Sequence, residues 1–263
     1  MEDTRGILYP TRLPTFWREP APADLDGLVR WFWIPQWRLP SGRVSRQHLL
    51  PFPASNLVVE PVGVSLTGPT TRASHRDLTG TGWAVGALLR PAALAQLCPA
   101  PETIRDDEIP FDAADLHRTV AAAMHSPDIH ADADMNAVQA FSDWALAALT
   151  PPDEGGAVAN AMEDLIASDR GIVRVDQLAA RLHLSARAVQ RLARRYVGLP
   201  PLALIRRYRL QEAAQRLRDD PTVTIAQVAV ELGYADHAHL TSDFRATLGS
   251  TPVAYRTSPE HGD

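Results

Sequence analysis

Residues 175–196 read VDQLAARLHLSARAVQRLARRY, and residues 224–249 read TIAQVAVELGYADHAHLTSDFRATLG. Each stretch is a short apolar-striped helix, a tight turn and a second amphipathic helix. In the first, Val175, Leu178, Ala179 and Leu182 recur at steps of three and four, the spacing of one helix face. His183 and Leu184 make the turn. Ser185 is placed to cap the next helix, because its hydroxyl can accept from an N–H that has no partner within the helix. That helix turns Val189, Leu192, Ala193 and Tyr196 inward and leaves Arg187, Gln190, Arg191, Arg194 and Arg195 outside. A polar face of arginine and glutamine, with no glutamate, suits the DNA major groove. Arg forks onto guanine, Gln pairs with adenine, and spare guanidiniums hold phosphates.

In the second unit Thr224 caps a helix carrying Ile225, Val228, Ala229 and Leu232. Gly233 and Tyr234 turn the chain, and Asp236 caps the next helix. Its core face is expected at Ala238, Leu240 in part, Thr241, Phe244 and Leu248, with His237, His239, Ser242 and Arg245 outward. Between the units, Gly198-Leu199-Pro200-Pro201 stops one helix, and the uninterrupted helix formers of 202–220 start another. Its stripe runs Leu204, Ile205, Tyr208, Leu210 in part, Ala213, Ala214 and Leu217. Such a rod is roughly 27 Å long. It could set two reading helices about one DNA turn apart, near 34 Å. Pro252-Val253-Ala254-Tyr255 closes the second unit with a short helix.

Charge is segregated in the same way. The net charge of −5 is an average. Between Arg170 and Arg218 there are 12 arginines against only Asp176 and Glu212. A basic module joined to an acidic partner is the pattern of a nucleic-acid-binding protein with a second domain. Every basic side chain apart from histidine is Arg, the better fork for guanine and phosphate.

At 263 residues the chain has room for two domains. Residues 1 to about 110 are rich in Pro and Gly. They carry short apolar runs at 28–34 (LVRWFWI), 56–66 (NLVVEPVGVSL) and 83–89 (WAVGALL), which read as strands. Pro91 opens a short helix to Cys98. Helical texture follows over 112–125 and 131–150, with Val138, Phe141, Trp144, Ala145 and Ala148 on one face. TPPDEGG (150–156) is the clearest break, followed by the helix VANAMEDLIAS. The expected fold class is α+β. Residues 1–150 form a β-rich sensor or dimerisation domain with C-terminal helices, 151–157 a linker and 158–258 an all-α DNA-binding domain.

The patterns LAxxLxLSxRxxQRLxRRYVG (178–198) and IAxVAxELGYxDxxxLxxxFRxxLGxTPxxYR (225–256) resemble the two helix-turn-helix motifs of the AraC/XylS family of transcription regulators. The resemblance spans Ile172 to Arg256 in the family's order and spacing. It implies two motifs joined by a central helix, whose recognition helices enter successive major grooves of double-stranded DNA. By position, Arg187, Gln190 and Arg191 fall on base-contacting places of the first motif, and His237, Ala238 and Ser242 on those of the second. Two residues depart from the pattern: Ser242 stands where many relatives carry Arg, and Ala193 where Phe is common. Affinity is therefore expected to lean on the first motif. The runs VRWFW (29–33), TGPTTR (67–72) and WAVGALLRPAALAQL (83–97) resemble a cupin-like sensor domain found in some relatives. That implies a small barrel that binds a small-molecule effector or self-associates as a homodimer, and contact with RNA polymerase if the protein is an activator.

Other chemistries have weaker support. A metal-dependent cupin-like enzyme fused to a DNA-binding module would need ligands at strand spacing, but His48, His75 and Glu60 are scattered. DIHADAD (128–134) sets Asp128, His130, Asp132 and Asp134 at alternate positions. It lacks the Gly and terminal Glu of a calcium loop and reads as acids at a helix start. His237 and His239, two apart on a helix, face different ways. No catalytic residue, cofactor or metal is expected. Cys98 reads as a small core residue, since a single cysteine forms no internal disulfide. No apolar run spans a membrane and the N-terminus does not read as a secretory signal, so a cytoplasmic location is expected. A third reading keeps the DNA-binding helices and lets the N-terminal half only dimerise.

Overall fold

The structure, a computed structural model, describes residues 15–49, 52–125 and 130–257. Its N-terminal part is built on β1 (Thr15–Pro20), β2 (Val29–Arg38), β3 (Val44–Leu49), β4 (Asn56–Glu60), β5 (Gly63–Thr67), β6 (Ser74–Thr79), β7 (Thr81–Trp83), β8 (Val85–Leu89) and β9 (Glu108–Pro110). Seven of these form one antiparallel sheet, ordered β1-β2-β8-β4-β5-β9 with β7 also on β2, and β3 and β6 pair as a separate ribbon. The runs at 28–34, 56–66 and 83–89 are strands of the large sheet, and PAALAQL is helix α1 (Pro91–Leu97). Where the resemblance implied a small barrel, the described strands form a sheet with a separate ribbon. Among the described residues β1 and β9 end the pairing path without pairing to each other.

Period-two alternation sorts the sheet's two faces. On β2, Phe32 and Ile34 enter a core with Leu57, Val59, Val85 and Ala87. Helices α2 (Ala114–Met124) and α3 (His130–Ala148) cover this face, with Phe141 edge-on to Phe32 at 5.4 Å. Burial of a ring such as Phe32 contributes about 2–3 kcal/mol. Asp128, read as part of an acidic helix start, lies outside the described residues. The intervening β2 residues Trp31, Trp33 and Trp37 face the other way, into a cavity of about 500 Å³ that Leu49, Arg76 and Leu78 of the ribbon help to line.

The C-terminal part is all helix: α4 (Glu154–Ser168), α5 (Val175–Arg181), α6 (Ala186–Val197), α7 (Pro201–Asp219), α8 (Ile225–Glu231), α9 (His237–Leu248) and α10 (Pro252–Thr257). The first opens at Glu154 rather than at Val158, because Asp153 caps it by accepting from the Gly156 N–H at 2.6 Å. Two apolar cores share α7. Leu204, Ile205 and Tyr208 join one with α4, α5 and α6. Leu210, Ala213, Ala214 and Leu217 join the other with α8 and α9. Packed from both sides, α7 buries Leu210 fully, together with Arg209 and Gln211, where a single stripe with Leu210 only in part on it is expected from the sequence. The Arg209 guanidinium answers its burial by donating to the carbonyls of Ile166 and, at 3.0 Å, Asp169. Among the described residues no helix is long and apolar enough to cross a membrane.

Candidate nucleic-acid interface

Local capping fixes both reading helices. The Ser185 hydroxyl accepts from the Ala188 N–H at 3.2 Å, and Asp236 accepts from the His239 N–H at 2.7 Å. Thr224 and Gln227 form a reciprocal capping box ahead of α8. Gly198 ends α6 with φ of +79°, and its N–H reaches the Ala193 and Arg194 carbonyls.

On α6, Val189, Ala193, Tyr196 and Val197 are buried. Arg187, Gln190, Arg191, Arg194 and Arg195 are all exposed. These five fall into two groups. Among the described residues Arg187 and Arg191 have no ion-pair partner, and neither they nor Gln190 hydrogen-bond through the side chain. Arg194 is different: its Nε lies 3.3 Å from Oε1 of Glu102, in the turn 101–104 of the N-terminal part. The Glu102 carboxyl is held below the usual carboxylate range, first by its own backbone N–H and then, against some desolvation, by Arg194. Arg195 lies over the Tyr196 ring at 5.2 Å, and the Tyr196 hydroxyl donates to Asp153 at 3.3 Å.

On α9, His237, His239, Ser242 and Arg245 are exposed as expected. His237, Ser242 and Arg245 border one surface depression with Ala238, Thr241 and Ala246. The His239 ring instead packs edge-on to Tyr234 at 5.3 Å. The inward face is Leu240, Phe244 and Thr247, not Ala238. Ala238 stands two residues, about half a turn, before Leu240 and is exposed, so the core face begins at Leu240 rather than at Ala238. Helix α9 is tied to α7 through Arg207, which lies 3.6 Å from Asp243 and donates to the Thr247 hydroxyl at 2.6 Å. The Tyr234 hydroxyl donates to Asp243 at 2.9 Å. Burial, then that carboxylate, raises the Tyr234 pKa.

The N-terminal part touches both reading helices, which no local sequence signal announced. Gly198 packs on the 101–104 turn so closely that a Cβ there would meet the Pro101 carbonyl carbon at 2.5 Å. At the ribbon, the Ala73 N–H donates to the Thr247 carbonyl of α9 at 2.9 Å. Between these contacts, Arg30 of β2 reaches Glu163 at 2.9 Å and Asp164 at 2.7 Å on α4, and Arg90 also meets Asp164. The Tyr208 hydroxyl of α7 completes this cluster by donating to Glu163 at 2.8 Å.

Two capped helix-turn-helix units sharing one central helix, with arginines displayed on the leading face, define a tandem helix-turn-helix protein. Comparison with known proteins agrees. Residues 178–258 match the family described as "Helix-turn-helix domain", and residues 18–110 match "Domain of unknown function (DUF6597)". A Streptomyces lividans protein named as an AraC-like transcription regulator is 30% identical over 143 residues, which is 54% of this chain and 44% of that relative. The RCS-specific HTH-type transcriptional activator RclR of Escherichia coli strain K12 is 34% identical over 82 residues, covering 31% of this chain and 28% of that one. ToxT from Vibrio cholerae is similar at a TM-score of 0.45 and 12% identity, over 86% of this chain and 97% of that one. The C-terminal helices of this chain are similar to those of AraC-like transcription regulators. The chain spans less than half the length of the curated relatives it matches.

Proposed function

We propose that this protein is a sequence-specific DNA-binding transcription regulator controlled by a small-molecule effector held in its N-terminal half. The observation that carries this is the α6 face, where Arg187, Gln190 and Arg191 stand exposed and without side-chain partners among the described residues. Donors held on a rigid helix and left unengaged by the protein are available to base edges. In this reading Arg195 and Arg245 hold phosphates, and His237, His239 and Ser242 give the second unit a weaker grip. The chain divides near residues 151–157 into a sensor part and a DNA-binding part. A homodimer formed through the N-terminal half, contact with RNA polymerase as an activator and a cytoplasmic location belong to the same reading. The cavity beneath the ribbon supports effector control over a half that only dimerises, since 500 Å³ is the size of a small-molecule site.

Selection of bound duplexes from a random pool by the full chain tests the proposal. Enrichment of one motif, abolished when Arg187, Gln190 and Arg191 are all replaced by Ala, is the expected result. Failure to enrich any motif, or an unchanged motif and affinity in the triple variant, overturns it.

A further inference from the structure

The cavity's walls specify the chemistry of what they can hold. Trp33 pairs across strands with Gly86, and Trp37 with Gly82. A Cβ on Gly86 would lie 2.1 Å from the Trp33 ring, and one on Gly82 would lie 2.4 Å from Trp37. Both indoles therefore rest against bare backbone, which sets them low on the sheet and keeps the space above them open. Their only hydrogen-bonding groups are already engaged. Trp33 Nε1 donates to Asn56 Oδ1 at 3.0 Å, and Trp37 Nε1 donates to the Thr79 carbonyl at 3.1 Å. What remains for an occupant is aromatic surface.

The charged groups that line the cavity are engaged within the protein: the Arg18 guanidinium lies over the Trp31 ring at 4.6 Å, and Asp107 Oδ1 accepts from the Glu108 N–H at 2.9 Å. Arg76 of the ribbon bridges Glu60 at 2.6 Å and Glu108 at 2.5 Å, and Asp106 accepts from the Thr71 N–H and hydroxyl. An ionic occupant would have to draw one of these groups away from its present contacts or be desolvated without a counter-charge, and both are costly. An uncharged one meets no such penalty. Flat ring systems also gain from contact with an indole beyond the area they bury, an increment that saturated rings of equal bulk lack.

Resting on the reading of the N-terminal half as an effector domain, we propose that this cavity binds an uncharged, planar aromatic effector that packs on Trp33 and Trp37. The size of the cavity suits two or three fused rings.

Calorimetric titration of the full chain with 2-naphthol and with its saturated counterpart decahydro-2-naphthol tests this, alongside 2-naphthoate and 2-naphthylmethylammonium as charged controls. The expected order places 2-naphthol about tenfold tighter than the saturated alcohol and tighter than either ion. Trp33→Leu should erase the aromatic advantage and Trp33→Phe should keep most of it, with a melting curve on each variant to show that it folds. Gly86→Ala, which pushes the indole off the sheet, should weaken 2-naphthol more than the saturated alcohol. Equal binding of the two alcohols, or tighter binding of an ion, overturns the aromatic, uncharged class while leaving an effector cavity in place. Silence from all four compounds at millimolar concentration overturns the effector reading itself, and the DNA selection above is unaffected by that outcome.

Discussion

The ring of Phe52, which lines the cavity, lies 5.7 Å from the ring of Tyr208 on α7, centroid to centroid. Trp31, another cavity residue, is 6.2 Å from Phe52 on its other side. Three rings thus run from the cavity to the helix that joins the two reading units. Replacing Phe52 by Ala should destabilise the protein by about 3 kcal/mol, the usual cost of deleting a buried ring. Amide exchange of residues 201–219 should quicken while β5 and β9 keep their protection. Equal loosening of both regions would show that the ring chain has no directional role.

The carboxylates of α4 make a second connection. Glu163 is 4% exposed and engages both Arg30 and Tyr208. Removing Glu163 strips the Tyr208 hydroxyl of its acceptor and leaves Arg30 with Asp164 alone, so Glu163→Ala should cost about 1–3 kcal/mol in chemical denaturation. A double variant with Arg30→Ala should cost less than the sum of the two single changes, because the Arg30–Glu163 contact is then lost only once. Strict additivity of the two single changes would count against direct coupling.

On the DNA side, Arg191→Ala should weaken binding to the selected site by about 1–3 kcal/mol and relax preference at one base pair, read by fluorescence anisotropy against single-base variants. Arg245→Ala should weaken all sequences alike. A uniform loss for Arg191 would reassign it to phosphate.

In the proposed reading a phosphate would take the guanidinium of Arg194 that the Glu102 carboxylate holds in this structure. Glu102→Gln removes the carboxylate and frees the guanidinium, so the slope of log affinity against log salt should steepen by about 0.9, the signature of one more phosphate contact. A slope identical to that of the unaltered chain would show that Arg194 contacts no phosphate.

Gly198→Ala places a methyl against the Pro101 carbonyl at a φ of +79°. A loss of about 1–3 kcal/mol is expected, with Gly249→Ala as the control. Gly249 also has a positive φ of +72°, but a Cβ there meets nothing within 4 Å, so its strain comes without a clash. Similar melting temperatures for the two variants would mean that the contact with the 101–104 turn adds nothing.

The reading units were legible in the sequence because their determinants are local. Ser185, Thr224 and Asp236 cap the neighbouring N–H groups that their spacing predicts. The polar ribbon strands VSRQHL and SHRDLT gave no such signal, since neither alternates apolar with polar residues. Trp31 and Trp33 were visible as part of a strand and Trp37 was not, and the place of Trp33 and Trp37 in the cavity wall depends on glycines some 45–55 residues away. The Arg30–Glu163 pair joins residues 133 apart and leaves no periodic trace. Ala238 was misplaced because it stands about half a turn from Leu240, the residue of the first turn that faces the core.

The hydrogen bond from Ala73 to Thr247 and the ion pair from Glu102 to Arg194 attach the N-terminal half to each reading helix separately. The two helix-turn-helix units are therefore not a detachable cassette. Grafted onto a foreign sensor, they would keep their sequence preference but lose both outside braces. The angle between the two reading heads, and with it the tolerated spacing of the two halves of an operator, would then be set by the graft.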